Sequence, residues 1–454
     1  MASTRRRAPI GMWGLVAIIF FTVSGGPYGL EPLVGSLGGG RSLALLLAVP
    51  VLWSLPVALM SAELSAAMPL LGGYYQWVRR GLGEFWGFQE GWWSWLFTWV
   101  DMPLYPVLCG EILRESWPLF TGRTLSAAHT ALFALGFIWA AALLHAVGTR
   151  VTTAWSLAAA AAVLAPFVAF AAAAARAHPG AAAAAGPGLA PAGWAVGLST
   201  VMWNYAGWDN VSTFAPDVAG PQRVYPRALG AGLGLITLFY VASVAAGLHL
   251  DPVAAHWRNG YFVILGGRVL GPGVAAVMAA TALLSAWTQY TAQLLYVLPL
   301  PASLALDGYL PAALARVNAR GVRPAALVAC SAIFSLFALA SFSRLVVADV
   351  LLYSSGLALE FAALLLLRRR AGGKAAFQIP LRGWGLAGMC ALPLLLAAIN
   401  LGVAAKQDPL FSLIAVALLA SGPLVWLLLR ARAAAEADWL SWRLGRRRQP
   451  ESDG

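Results

Sequence analysis

Acids embedded in apolar runs are the residues of this chain with the most chemistry to offer, and two of them stand beside glycine breaks. Glu31 follows Ser24-Gly25-Gly26-Pro27-Tyr28-Gly29-Leu30, near the middle of an apolar run from Ile10 to Leu47. Asp209 follows Trp203-Asn204-Tyr205-Ala206-Gly207-Trp208, and Asp101 lies in an aromatic stretch with Trp99 and Tyr105. Gly25 and Gly26 weaken the helical preference and Pro27 removes an amide donor. In hydrocarbon such an open backbone survives only where protein buries it or it lines a wet cavity. A carboxylate at that depth costs roughly 2.5–3.5 kcal/mol even on the lenient insertion scale. A broken helix with an acid beside the break therefore reads as a binding site for something cationic. The plain alternative for Glu31 is a kinked packing helix with the acid at the interface, and for Asp209 and Asp101 a hydrogen-bonded structural acid capping a half-helix.

The elements that must position these residues follow from composition. The chain has 454 residues, 60% hydrophobic and only 11% charged, with a mean hydropathy of +0.74. Soluble domains carry about 25% charged residues, so this is an all-α, polytopic integral membrane protein. Its length accommodates about twelve spans of ~20 residues and no sizeable soluble domain. The net charge of +12 gives topology and no sign of nucleic acid, because the basic residues lie between the apolar runs. With the N-terminus inside, 22 of the 30 Lys and Arg fall on the cytoplasmic side. Both termini are then cytoplasmic and the number of spans even.

Cys109, Cys330 and Cys390 lie in or beside apolar runs and give neither a disulfide framework nor a metal site. Arg5–Arg7 followed by an apolar run imitates a signal peptide; cleavage would discard the first break, so the run is read as an uncleaved first span. No GxxxxGK[ST] loop, metal-ligand cluster or nucleophile–base set stands out. No metal, cofactor or enzymatic activity is expected. A channel would more naturally show pore rings or a filter than two broken helices.

The spans are read as follows. Span 1 runs from Pro9 to Leu37, span 2 from Ser42 to Ala67, span 3 from Glu84 to Glu111 and span 4 from Ser126 to Leu144. Span 5 covers Val151 to Ala175, span 6 Gly193 to Pro216, span 7 Ala228 to Leu248 and span 8 Pro272 to Leu300. Spans 9 to 12 fall at Pro324–Ala340, Leu345–Leu367, Trp384–Ala404 and Pro409–Leu429, and Tyr74–Gly81 forms a short interfacial helix. Spans 1 and 6 are the interrupted pair, five helices apart. Five-helix repeats of inverted topology place such helices antiparallel across the midplane, with both breaks on one cavity. The organisation is an N-tail (1–9), a ten-helix core (10–370, with repeats at about 10–175 and 193–370), two peripheral helices (371–430) and a C-tail (431–454).

The set Ser24–Glu31, Ser61-Ala62-Glu63-Leu64 with Pro69 and Gly72-Gly73-Tyr74, and Phe85-Trp86-Gly87-Phe88-Gln89 resembles the amino acid–polyamine–organocation transporter superfamily. Trp99-Val100-Asp101, Leu104–Leu108, Trp203-Asn204, Trp208-Asp209 and Pro226–Leu229 resemble its polyamine:proton symporter branch; Asp307-Gly308 and Leu310-Pro311 echo its inner-loop signature. Departures are Gln293 where the branch has an acid, Ala206 and Gly207 where it has Asn and Tyr, and His145, Val147 and Gly148 in place of an Asn-Arg-Gly signature. The likeness covers most of residues 10–330.

The resemblance implies a LeuT-like five-plus-five fold that alternates access to a midplane site between spans 1, 3, 6 and 8. Superfamily members that carry amino acids hold the carboxylate on free amides of the first break. Here Pro27 lacks one donor and Glu31 adds negative charge, which favours an ammonium. The substrate-binding candidates are Gly25, Gly26, Glu31, Asp101, Tyr105, Trp203, Asn204, Trp208, Asp209 and Trp287. Glu31, Asp101 and Asp209 are the proton-coupling candidates, and the aromatics offer ring faces to ammonium groups. The expected partners are a polyamine or related cation, a proton and the bilayer, in a monomer or weak homo-oligomer of the plasma membrane. An amino acid substrate is the alternative. Among other acids, Glu63 is expected to pair with Arg79 or Arg80 and Glu360 with Arg368–Arg370, while Glu111 lies near the outer interface.

Overall fold

The computed structural model describes residues 11–68, 73–147, 153–178, 191–212, 218, 220–371, 377–407 and 409–446. The basic tail Arg5–Arg7, the Pro69 and Gly72 turn, Gly148 and the last residues from Arg447 lie outside the described residues. Among those described there is no β-strand.

The first span is two half-helices. Helix α1 (Met12–Ile19) widens into a π-helical turn (Phe20–Ser24) and stops at Gly25; α2 (Glu31–Leu37) resumes after the gap. Gly25, Gly26 and Gly29 all take positive φ there, a conformation that side chains resist. Next come α3 (Gly39–Val49) and α4 (Leu55–Ala67), joined by a π-helical turn at Pro50–Ser54 into one span. Helix α5 (Gly73–Leu82) is the short amphipathic helix expected at Tyr74–Gly81.

Helix α6 (Glu84–Thr121) continues past the expected end at Glu111 despite Pro103, Pro106 and Pro118. It is followed by α7 (Ala127–Ala146), whose Ser126 caps its first turn, and by α8 (Thr153–Ala174). The second break is also present. Helix α9 (Pro191–Asn204) ends abruptly, the chain unwinds through Tyr205–Asp209, and a single 3-10 turn follows at Asn210–Ser212.

The remaining helices are α10 (Pro221–Leu250), α11 (Tyr261–Leu270), α12 (Pro272–Val297), α13 (Pro299–Leu306), α14 (Pro324–Phe337), α15 (Phe342–Ala371), α16 (Gly383–Gln407) and α17 (Pro409–Arg446). Pro299 closes α12 and starts α13, so the expected span 8 is shorter at its end.

Eight helices among the described residues are long and apolar enough to cross a bilayer. The core is packed around α6, which touches α5, α7, α12 and α15. Arg79 of α5 pairs with Glu84 at 2.9 Å, and Arg370 of α15 donates to the Arg80 carbonyl at 3.1 Å. The start of α6 and the end of α15 thus share the α5 face of the molecule, and the two helices run antiparallel. On the opposite face, the segment Asp251–Gly271 with α11 lies over α2 and α6.

Two expected ion pairs are corrected. Glu63 pairs with Arg368 at 3.3 Å and accepts the Ile379 N–H at 2.8 Å, tying α4 to α15 and the approach to α16. Glu360 does not reach the Arg368–Arg370 group: eight residues or more on one helix carry it to a deeper level, where it is 2% exposed and faces Asp209.

Candidate functional site

The two breaks meet. The Gly29 carbonyl accepts a hydrogen bond from Asn204 Nδ2 at 3.4 Å. A Cβ at Gly207 would stand 2.9 Å from the Thr22 carbonyl, and one at Gly29 would stand 3.3 Å from the Trp203 ring. Glycine is what lets these backbones approach. Between them lies a cavity of about 340 Å³. Its wall combines Thr22–Ser24 before the first break, Trp203, Asn204, Ala206, Gly207 and Asn210 around the second, and residues from α6 and α12.

Helix α6 contributes Phe97, Asp101 and Tyr105, spaced four residues apart on one face. Asp101 accepts the Trp203 indole N–H at 3.2 Å, and the Tyr105 and Trp203 ring centroids are 5.8 Å apart. Helix α12 contributes Gln289, Gln293 and Tyr296. Thr281, Ser285, Gln289 and Gln293 recur every fourth position and form a polar stripe in an otherwise apolar helix. Ser285 hydrogen-bonds the Gly25 carbonyl, and Gln293 donates to the Tyr105 hydroxyl while its Oε1 has no partner among the described residues.

The glycine amides of the breaks are already committed. The Gly25 N–H binds the Phe20 carbonyl at 2.9 Å, the Gly26 N–H binds Ser24 Oγ at 3.0 Å, and the Gly29 N–H binds Glu31 at 2.8 Å. In the second break the Gly207 N–H donates to the Tyr353 hydroxyl at 3.0 Å. The wall holds side-chain amides, hydroxyls and aromatic rings, no Lys or Arg, and a single carboxyl group, that of Asp101.

Of the expected site residues, the cavity gathers Asp101, Tyr105, Trp203 and Asn204. Gly25 and Gly26 shape the break: a Cβ on Gly25 would fall 1.9 Å from Gln289 Nε2. Asp209 lies just below, in a second space, with its carboxylate held by the Tyr353 hydroxyl. Three residues stand elsewhere. Glu31 is fully buried and turned to backbone amides, accepting from Gly29 and, at 3.2 Å, from Gly260 of the α11 segment. Trp208 is buried in packing with its N–H on the Tyr205 carbonyl. Trp287 packs against Phe137 of α7, centroids 5.0 Å apart.

Sequence reading did not single out Phe97, Gln289, Tyr296, Glu90 or Asp349. Helical spacing was the available signal, since Glu90, Ser94, Phe97, Asp101 and Tyr105 recur at three- and four-residue intervals. Asp349 of α15 is fully buried near Asp101, and neither of its carboxyl oxygens has a partner among the described residues.

Interrupted helices, a polar cavity at their meeting point and apolar spans around it define a multi-pass membrane permease. The sequence matches the amino acid permease family over residues 10–421, and the chain belongs to that family. It is 31% identical over 421 residues to polyamine transporter PUT1 of Oryza sativa subsp. japonica, a match covering 90% of this chain and 76% of that protein. A probable polyamine transporter of Arabidopsis thaliana is 32% identical over 414 residues, covering 88% and 83%. Polyamine transporter RMV1 of the same plant is 30% identical over 425 residues, covering 88% and 82%. All three relatives are described as transporters.

Proposed function

We propose that this permease is a secondary carrier of polyamines or related organic cations, coupled to protons and working by alternating access. The observation that carries the substrate class is Asp101, a buried carboxylate at a cavity whose wall holds no basic side chain, beside breaks whose Gly25, Gly26, Gly29 and Gly207 amides are spent. An ammonium recovers its lost hydration there through a charge-assisted hydrogen bond to Asp101, the open Gln293 Oε1 and the ring faces of Tyr105 and Trp203. An amino acid would need donors for its carboxylate, and Gly25, Gly26, Pro27 and Gly29 supply none. Relatives described as polyamine transporters support the same substrate.

Proton coupling is assigned to Asp101 and Asp209, intramembrane carboxylates able to exchange a proton for the substrate's charge. Glu31, committed to amides, serves instead as an anchor. The fold proposed is twelve spans in a LeuT-like five-plus-five core with two peripheral helices. Besides the eight long spans, it counts the two interrupted pairs, α12 and α14. The excess of Lys and Arg on the α5 face supports cytoplasmic termini, and the membrane proposed with them is the plasma membrane.

The test is a substrate panel in proteoliposomes. Saturable uptake of putrescine or spermine that a protonophore abolishes and that persists without sodium is expected. Uptake of leucine without any polyamine would replace the substrate assignment with the amino acid one, and a sodium requirement would remove proton coupling.

A further inference from the structure

We propose that Glu90, Asp209 and Glu360 form a second cation subsite that takes a further ammonium of a long polyamine and so selects polyamines by length. The proposal rests on the polyamine reading above and adds a residue set and a selectivity to it.

A separate small space lies on the α5 side of the Asp101 cavity. All three carboxylates line it, and no Lys or Arg does. Phe97 and Asn210 line both spaces, so the two adjoin, with the Phe97 ring as part of the partition. Glu90 is fully buried; its Oε1 accepts the Ser94 hydroxyl at 2.9 Å, and its Oε2 has no partner among the described residues. Glu360 is 2% exposed, faces Asp209 across the same space, and likewise leaves Oε2 unpaired. Oxygens buried to that degree and left open cost free energy that a bound donor would recover.

The backbone sets two acid levels. On α6, Asp101 and Glu90 are eleven residues apart on one face; on antiparallel α15, Asp349 and Glu360 are also eleven apart. At 1.5 Å rise per residue, each pair is separated by about 16 Å along its helix. Asp349 thus stands at the level of Asp101 and Glu360 at that of Glu90, in agreement with their electrostatic neighbours. Polyamines carry their charges at intervals along a flexible chain. A diamine is too short to serve both levels, whereas a tetraamine such as spermine, whose end nitrogens stand about as far apart as the levels when extended, can place one ammonium at each.

The experiment compares labelled putrescine and spermine uptake by the full chain with that of the Glu90→Gln and Glu360→Gln variants in proteoliposomes, with spermine-induced thermal stabilisation in detergent as a second measurement. Each variant should raise KM for spermine by about tenfold or more while moving putrescine far less, the loss of one charge-assisted hydrogen bond. The extra stabilisation by spermine over putrescine should vanish with it. Equal losses for both substrates, or no change for spermine, would overturn the subsite and leave the carrier's polyamine substrate standing. A wild-type protein that neither transports nor binds any polyamine would remove the substrate reading and this subsite together.

Discussion

Asp101 and Glu31 show how differently two buried carboxylates can be used. Asp101 keeps an oxygen toward a cavity and holds one indole N–H, so Asp101→Asn removes the charge while preserving shape. Charge-assisted hydrogen bonds contribute about 1.5–3 kcal/mol, so polyamine kcat/KM should fall by about tenfold to a hundredfold. Uptake kinetics would check it, and a variant within twofold of wild type would move recognition away from Asp101. Glu31 accepts from Gly29 on one oxygen and Gly260 on the other. Glu31→Gln would turn an amide NH₂ toward one of those donors, leaving a buried donor unsatisfied at about 1–3 kcal/mol. The expected result is a lower melting temperature in detergent with substrate selectivity unchanged; a normal melting temperature with polyamine uptake alone abolished would return Glu31 to the binding site. The residue types of the site were legible in the sequence, and the direction each acid faces was not. Adjacency to Gly29 says that Glu31 is near the break; only the packed α11 segment decides which way it turns.

At the scale of elements, the breaks were the most readable feature, because three glycines and a proline so close together cannot carry a regular helix through an apolar run. Their meeting depends on close backbone approach. Gly207 takes φ near +93°, and a Cβ there would sit 2.9 Å from the Thr22 carbonyl, a rigid backbone atom. Gly207→Ala therefore adds strain at a positive φ and a clash at the junction of the half-helices. We expect transport to fall by an order of magnitude or more with the protein still inserted, measured as uptake normalised to folded protein by size-exclusion chromatography. Wild-type uptake would mean that the two breaks need not touch. Ion pairing was less legible than helix breaking. Glu360 and the Arg368–Arg370 run are close in sequence, yet the helix sends Glu360 to the carboxylate level and Arg368 to Glu63. Proximity along a chain matters little when a third element, α4, brings a better-placed partner.

Considered whole, the molecule is a packed helical body with ties at both ends. Only eight helices among the described residues are both long and apolar enough to span, because helix α12 carries a polar stripe, α14 is short and the interrupted helices are split into pieces. The features that make a carrier are those that depress its membrane signal. On the face opposite α5, the Asp251–Gly271 segment forms a cap: Gly260 reaches Glu31, Asn259 donates to Glu111 at 2.8 Å, and Arg258 pairs with Glu115 at 2.5 Å. The cap is closed on itself by Asp251, just past the end of α10. Burial acts to raise the Asp251 carboxyl, but hydrogen bonds from Tyr261, His256 and the Val253 N–H outweigh it and hold the group below its usual range. A carboxylate whose folded pKa is depressed stabilises the fold above its unfolded value and loses that contribution as pH falls through the folded one. The melting-temperature difference between wild type and Asp251→Asn should therefore be constant above about pH 5 and shrink as pH drops below about 4. A difference that stays constant down to about pH 3, or no difference at any pH, would mean that the cap is held without the Asp251 charge.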